Sequence, residues 1–213
     1  MTNQLNALLI LVLVINLFAL GTSRLLALIR IVALQGVLLG AIPFLVHPHI
    51  TFPAIMTAVA AIVLKGFVIP AIMIRALRDA QIKREVEPLI GFLPSILLGA
   101  AATAFALLFA DQLPLIGQQA GSLLVPASMA TILTGFILLT TRFKALTQVV
   151  GYLVLENGIF IFGMLLLEAM PFLVEVGVLL DLFVGIFVIC IITNHINSAF
   201  SSMDTRRLVT LKE

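Results

Sequence analysis

Ionisable side chains occur inside stretches of this sequence that are apolar enough to cross a membrane. The carboxylates are Glu156, Glu175 and Asp181, and the cation is Lys65. A charged side chain in the hydrocarbon region is costly and usually functional, often as part of a proton path. Burial disfavours the charged form of a lysine and of a carboxylate alike, so neighbouring groups of these two types can exchange protons. The pattern predicts a proton relay inside a membrane.

Amide side chains accompany the charged ones. Asn157 follows Glu156, Gln148 precedes it by two turns, and Gln35 occupies a comparable depth in the first half of the chain. Glu156 lies roughly 16 Å past the cytoplasmic edge of its apolar stretch, close to the midplane of a bilayer. Gln35 and Gln148 suit hydrogen bonds between helices as well as they suit a water wire.

The same residues also fit purely structural roles. Lys65 can serve as an ion-pair partner that only pins helices together, and Glu175 also fits the outer headgroup region. His47 and His49 do not have the spacing of a structural zinc site, so the segment is predicted to be a surface turn. No metal, nucleophilic or cofactor-binding motif is found in the sequence.

The composition places the chain in a membrane. Hydrophobic residues make up 62% and charged residues 10% of the sequence, and the mean hydropathy is +1.25. The net charge of +2 comes from basic residues at helix ends, so it informs topology and gives no indication of nucleic-acid binding, and no nucleic-acid partner is predicted. The single cysteine, Cys190, can build neither a disulfide framework nor an iron–sulfur cluster on its own.

Glycine, proline and charged residues divide the sequence into seven predicted transmembrane helices. The predicted spans are residues 4–21, 25–46, 51–75, 89–110, 122–141, 145–168 and 172–197. All of the 12 Lys and Arg residues except Lys65 lie at one set of alternate connections, and the other connections contain none. By the positive-inside rule the N-terminus faces outside and the C-terminus faces the cytoplasm. We predict an all-α integral membrane protein of the cytoplasmic (inner) membrane.

A weak internal repeat relates the two halves. RLLALIRIVALQGVLLGAIPFL begins at Arg24, and RFKALTQVVGYLVLENGIFIFG begins at Arg142. Each stretch is preceded and followed by one apolar helix, and two modules in the same orientation require an odd helix between them. The predicted units are a three-helix module at 1–86, a linker helix with an outer loop at 87–121, and a second three-helix module with a cytoplasmic tail at 122–213.

The residues resemble those of a known family. GYLVLENG at 151–158, VEVGVLLDLFVGIFV at 174–188 and the tail MDTRRLVTLKE at 203–213 resemble the E component of hydrogenase-4. This component is a membrane subunit of group-4 nickel–iron hydrogenase and formate hydrogenlyase complexes. VLKGFVIPAIM at 63–73 resembles that family's third helix, including its lysine.

The second half is also similar to the three-helix K-type subunit of respiratory complex I and to the C subunit of Mrp antiporters. In those proteins the second and third helices each carry a membrane-embedded glutamate in the proton path. The resemblance places the third-helix glutamate at Asp181 and the second-helix glutamate at Leu153, with Glu156 one turn further along the same face. The corresponding positions of the first module are Gln35 and Lys65.

The resemblance implies a non-catalytic subunit of an oxidoreductase complex. Its partners would be antiporter-like membrane subunits, the membrane subunit beneath the redox arm, and a soluble hydrogenase-like arm. The chain itself would hold no cofactor, because the nickel–iron centre and the iron–sulfur clusters would belong to partner subunits. Protons would pass through Glu156, Asp181 and Lys65.

Two other functions fit the architecture. Sugar transporters of the SWEET type also have parallel three-helix repeats around a linker helix. Their repeats carry a proline in the first helix, whereas only the fifth span has one here, Pro126, and a line of lysine and carboxylates suits protons better than sugars. A purely structural membrane scaffold is the other alternative.

Overall fold

The computed structural model describes residues 2–43, 55, 58–59, 62–79, 86, 88–112 and 123–164. Within these ranges the chain forms helices and turns, with one isolated backbone bridge and no strand. The predictions for His47, His49, Glu175, Asp181 and the seventh span fall outside the described residues.

The described helices lie along six of the predicted spans, although the second helix ends at Gly40 and not at the predicted 46, and the third continues to Asp79, past the predicted 75. They are α1 Thr2–Gly21, α2 Leu25–Gly40, a π-helical turn Leu64–Val68 that continues into α3 Ile69–Asp79, α4 Phe92–Ala110, α5 Leu124–Thr141 and α6 Ala145–Gly163. Four of them, α1, α4, α5 and α6, are long and apolar enough to cross a membrane, and α2 is a shorter apolar helix. The chain is therefore a helical membrane protein, while the count of seven spans and the sides of the termini stay predictions.

The connection before α4 differs from the prediction because it pairs with the chain at the ends of α1 and α5. The Val86 N–H donates to the Ser23 carbonyl at 2.7 Å, and the Leu89 N–H donates to the Thr141 carbonyl at 2.8 Å. Pro88 forms an antiparallel bridge with Arg142. These contacts keep the backbone extended, so α4 begins at Phe92 rather than at the predicted position 89.

Helices α1 and α5 run in the same direction. At one end the Leu123 N–H donates to Asn6 Oδ1 at 3.0 Å, and at the other Arg142 Nη2 donates to the Leu20 carbonyl at 2.8 Å. Helix α4 packs against both of them, and α2 packs against α6. The predicted linker helix thus lies beside the first helices of both predicted modules, whose division stays a prediction.

Glycines bring α5 and α6 close together. A Cβ atom at Gly135 would meet the Leu155 backbone, and one at Gly158 would lie 2.6 Å from the Ile132 nitrogen. Gly151 makes a similar approach, 2.8 Å from the Leu139 nitrogen. Because lipid tails remove the hydrophobic drive for helix association, such small-residue contacts are what hold membrane helices together. Helix α6 is thereby fixed against α5.

Candidate functional site

Buried polar side chains form a layer across the bundle between two apolar clusters. One cluster contains Val32 and Leu153, and the other contains Leu39 and Ile161. The members of the polar layer are Asn16 of α1, Gln35 of α2, Thr131 of α5, and Glu156 and Asn157 of α6, with Lys65 of the π-helical turn beside them. Because each helix contributes its polar residue between the same two clusters, residues far apart in sequence meet at one level.

Lys65 and Glu156 form a buried ion pair. Lys65 Nζ lies 3.4 Å from Glu156 Oε1, and the two side chains are only 10% and 5% exposed. Phe160, one turn after Glu156, presents its ring to the ammonium at 5.1 Å from Nζ to the ring centroid. The sequence predicted that these two residues work together, and the structure brings them into contact.

The π-helical turn places Lys65 opposite α6. The Ile69 N–H bonds to the Leu64 carbonyl five residues earlier. Pro70 has no N–H to offer the Gly66 carbonyl four residues before it, so the regular helical ladder is interrupted at this point. Single π-helical turns occur frequently at functional sites. The sequence contained the signal, a proline five residues after a membrane-embedded lysine, although no π-helical turn was predicted from it.

Glycines also fix the Lys65 backbone against α2. A Cβ atom at Gly36 would lie 2.8 Å from Lys65 Cβ, and one at Gly66 would lie 2.5 Å from Val37 Cγ2. A Cβ atom at Gly40 would meet the Ile62 side chain. Gly36 and Gly40 have the G-x-x-x-G spacing that allows close helix approach in membranes.

A one-directional chain of hydrogen bonds crosses the polar layer. Asn157 Nδ2 donates to Gln35 Oε1 at 3.3 Å, and Gln35 Nε2 donates to Asn16 Oδ1 at 2.9 Å. Asn16 Nδ2 then donates to Thr131 Oγ1 at 2.9 Å, whose hydroxyl donates to the Ala127 carbonyl at 2.7 Å. Gln35 and Asn157 were predicted site residues, whereas Asn16 and Thr131 were missed. An asparagine inside the apolar run VLVINLFAL was the available signal for Asn16.

A small cavity adjoins the pair. Its volume is about 10 Å³, and Lys65 and Asn157 line it together with apolar side chains that include Val32, Met73 and Leu153. A space of this size holds about one water molecule. Leu153, where the resemblance places a glutamate, therefore lies on the same cavity as Lys65.

The comparisons with known proteins identify a relative. The chain is 33% identical over 191 residues to the uncharacterized protein Rv0085 of Mycobacterium tuberculosis, a match that covers 88% of this chain and 86% of the relative. The chain belongs to the Rv0085 family. No family model and no solved structure matches it. Since Rv0085 is itself described as uncharacterized, the activity has to be argued from the residues of the site.

Gln148 lies apart from the polar layer of this Rv0085-family chain. Its Nε2 donates to the Arg142 carbonyl at 3.0 Å. The residue is two turns from Glu156 on α6, a distance of about 12 Å along the helix. Gln148 therefore stabilises the turn between α5 and α6 and has no described contact with the ion pair.

Arg142 has a structural position that the sequence did not predict. It was counted among the cytoplasmic charges, yet it is only 1% exposed. Nη2 donates to the Leu20 carbonyl at 2.8 Å, and the guanidinium lies over the Phe92 ring at 5.3 Å. Burial lowers the pKa of Arg142 from its usual value, although arginine remains protonated in proteins. Arg30, in contrast, is exposed.

Metal binding finds no support in the described ranges, where no three His, Cys, Asp or Glu side chains are grouped closely enough to hold an ion.

Proposed function

We propose that this Rv0085-family chain is a membrane-arm subunit of a complex I-related hydrogenase or other oxidoreductase complex. It joins antiporter-like subunits to the membrane subunit beneath the redox arm and carries part of the proton, or other ion, path. The observation that carries the proposal is the buried Lys65–Glu156 pair, with Nζ and Oε1 3.4 Å apart. The resemblance of 63–73, 151–158, 174–188 and 203–213 to the E component of hydrogenase-4 supports it.

The pair suits proton transfer for a simple chemical reason. A proton that moves from the Lys65 ammonium to the Glu156 carboxylate leaves an amine and a carboxylic acid, both neutral. In an apolar surrounding, desolvation opposes the charged forms of such a pair while the ionic contact favours them. The separation of 3.4 Å is slightly longer than a hydrogen bond, so a small approach completes the contact.

Glu156 and Lys65 differ in how much their surroundings allow them to move. Glu156 lies on α6, which glycines hold against α5. Lys65 extends from a π-helical turn and borders the small cavity. In the proposed path Glu156 is the fixed station, Lys65 is the mobile one, and Asp181 of the seventh span is the next station.

The rest of the assembly belongs to the same proposal. The chain spans the cytoplasmic membrane seven times, with the N-terminus outside and the C-terminus in the cytoplasm. The nickel–iron centre and the iron–sulfur clusters lie in partner subunits, since the sequence of this chain has a single cysteine and can ligate no cluster alone.

A structural scaffold is the second candidate, and one observation favours it. The hydrogen-bonded chain from Asn157 to Thr131 ties α6, α2, α1 and α5 together. Such a network can specify helix packing without moving ions. A Lys65→Met variant separates the two functions, with Arg30→Met as the control that removes an exposed cation. Loss of complex assembly in Lys65→Met alone supports the scaffold, and an assembled complex with slowed ion movement supports the relay.

The proposal is tested by gentle detergent extraction of native membranes and capture through a tag at the C-terminus, followed by identification of the captured proteins. A membrane protein of unrelated function with the same tag is the control. Antiporter-like subunits together with a hydrogenase-like pair and iron–sulfur proteins are the expected partners. Recovery of the chain alone or as a homo-oligomer contradicts the proposal and leaves the stand-alone carrier as the function to test.

A further inference from the structure

The carbonyl oxygen of Asn157 has no role in the hydrogen-bonded chain. Asn157 gives its amide nitrogen to Gln35, so its carbonyl oxygen Oδ1 is the end of the amide group that the chain of hydrogen bonds does not use. The side chain is nevertheless only 2% exposed and lines the same cavity as Lys65. A buried amide oxygen beside a flexible ammonium is an acceptor placed next to a donor.

The direction of the hydrogen bonds from Asn157 to Thr131 explains why the oxygen of Asn157, and not its amide nitrogen, is left for the cavity. The Thr131 hydroxyl proton is committed to the Ala127 carbonyl at 2.7 Å, so Thr131 Oγ1 can only accept from Asn16. Asn16 must then present its nitrogen to Thr131 and its oxygen to Gln35. Gln35 in turn presents its nitrogen to Asn16 and its oxygen to Asn157. Thr131, at the far end of this series of hydrogen bonds, thereby determines which end of the Asn157 amide remains available.

We propose that Asn157 Oδ1 is a second acceptor for the Lys65 ammonium, so that Lys65 alternates between Glu156 and Asn157. Thr131, Asn16 and Gln35 are positioning residues that keep the Asn157 oxygen turned towards Lys65. The geometry of the alternation does not depend on the proposed function, whereas its use in ion transfer rests on it.

Three observations make the alternation feasible. Lys65 Nζ lies 3.4 Å from Glu156 Oε1, and Asn157, the next residue on α6, lines the same cavity as Lys65. The cavity that Lys65 and Asn157 share has a volume of about 10 Å³, and an ammonium group is about the size of the water molecule that such a space holds. The Lys65 backbone is held against Gly36, so the side chain alone has to move.

The alternation follows from the proton balance of the pair. Lys65 passes its proton to Glu156, and a proton arriving along the path then restores the Lys65 ammonium. The ammonium now faces a neutral carboxylic acid and has lost its ionic partner. The neutral amide oxygen of Asn157 then becomes the better acceptor for an ammonium N–H. When Glu156 gives the proton on to the next group, the carboxylate recovers its charge and attracts Lys65 back.

Solid-state NMR of the full chain in lipid bilayers tests this arrangement. Lysine is labelled with nitrogen-15 at Nζ and asparagine with carbon-13 at Cγ. The Lys65 signal is identified by its loss in Lys65→Met, and the Asn157 signal by its loss in Asn157→Leu. We expect magnetisation transfer between Lys65 Nζ and Asn157 Cγ in the wild type, and a stronger transfer in Glu156→Gln, which imitates the neutral glutamate.

Two threonines of α5 provide a matched pair of variants. Thr131 and Thr134 are both fully buried, and each donates to the carbonyl four residues earlier, but only Thr131 accepts from Asn16. Thr131→Val should weaken the Lys65–Asn157 transfer by about twofold or more, the population change that the loss of one hydrogen bond produces. Thr134→Val should leave the transfer unchanged. If Thr131→Val does not fold, Gln35→Met interrupts the same chain at its centre and carries the same expectation.

The inference is overturned if the Lys65–Asn157 transfer is absent both in the wild type and in Glu156→Gln, or if the two threonine variants respond equally. Because the measurement needs no partner subunit, it stands apart from the proposed function. Capture of the chain without a redox complex removes the proposed function alone. A complex that moves ions through Glu156 but shows no Lys65–Asn157 contact removes this inference alone.

Discussion

Two buried cations, Lys65 and Arg142, lie at different levels of the bundle with similar neighbours and different partners. Each rests on an aromatic ring, Phe160 at 5.1 Å for Lys65 and Phe92 at 5.3 Å for Arg142. Lys65 faces the Glu156 carboxylate at 3.4 Å, whereas Arg142 donates to the Leu20 backbone carbonyl at 2.8 Å. The difference lies in whether the partner can accept a proton.

The comparison distinguishes a cation that can exchange a proton with its partner from one that only holds helices together. A backbone carbonyl takes no proton at ordinary pH, and a guanidinium gives none up, even though burial lowers the pKa of Arg142. The contact between Arg142 and Leu20 can therefore only hold the ends of α1 and α5 together. An ammonium and a carboxylate, in contrast, are groups that can exchange a proton. The proton exchange proposed above therefore belongs to the level of Lys65.

The first prediction removes the carboxylate from the polar layer. Glu156→Leu should lower the free energy of unfolding by about 3–5 kcal/mol, because it leaves a buried ammonium without its ionic partner. The double variant with Lys65→Met should recover most of this loss, since an apolar pair has no charge to desolvate. Chemical unfolding of the purified chain in detergent measures both. Equal losses in the single and the double variant would show that the ion pair is not what stabilises this level.

The second prediction removes the other cation. Arg142→Met should lower the free energy of unfolding by about 1.5–3 kcal/mol, the range for a hydrogen bond made by a charged group. Arg30→Met is the control, because Arg30 is exposed and its loss should change stability by no more than about 0.5 kcal/mol. The same unfolding assay applies. If the two variants are equally stable, Arg142 does not fix the helix ends.

The third prediction sharpens the contrast between the fixed and the mobile partner of the ion pair. Gly158→Ala should destabilise the chain by about 1–3 kcal/mol, because the new methyl group would lie 2.6 Å from the Ile132 nitrogen of α5. Gly163→Ala lies on the same helix with nothing within 4 Å of the added carbon, so it should cause no loss. Thermal unfolding in detergent distinguishes them, and similar melting temperatures would mean that α6 is not rigidly seated.

The fourth and smallest effect concerns Gln148, which was predicted from sequence to share the path with Glu156. Gln148→Leu should cost about 0.5–1.5 kcal/mol of stability, because one hydrogen bond to the Arg142 carbonyl is lost. Ion translocation by the assembled complex should remain at the wild-type rate, since Gln148 has no described contact with the polar layer. A strong loss of translocation would show that Gln148 takes part in the ion path.

Local pattern was enough to predict most helices. Helix α6 begins at Ala145, as the charged residues before it indicate, and α5 ends at Thr141 as predicted. The position of α4 could not be predicted in the same way, because its first residues are held out of the helix by a backbone bridge between Pro88 and Arg142. A long-range contact of this kind leaves no periodic signal in the sequence.

The site was partly predictable for a similar reason. Lys65 and Glu156 were functional candidates because a charged side chain is costly inside a membrane. Only the fold shows that the two side chains are in contact. Asn16 and Thr131 are neutral, and each lies in a helix with other residues of its type, so nothing in their local sequence connects them to Gln35. Arg142 looked like an ordinary cytoplasmic charge, because its burial depends on Phe92 and Leu20, which lie far from it in sequence.

The most direct test of the central claim is ion translocation by the purified complex in sealed proteoliposomes during redox turnover. Glu156→Gln keeps the shape and one acceptor oxygen of the side chain, and Asp111→Asn makes the same chemical change at an exposed position at the end of α4. We predict an assembled, redox-active Glu156→Gln complex whose translocation falls by at least about tenfold, as expected when a proton-transfer group is lost. The Asp111→Asn complex should translocate normally. Undiminished translocation by Glu156→Gln would contradict the account.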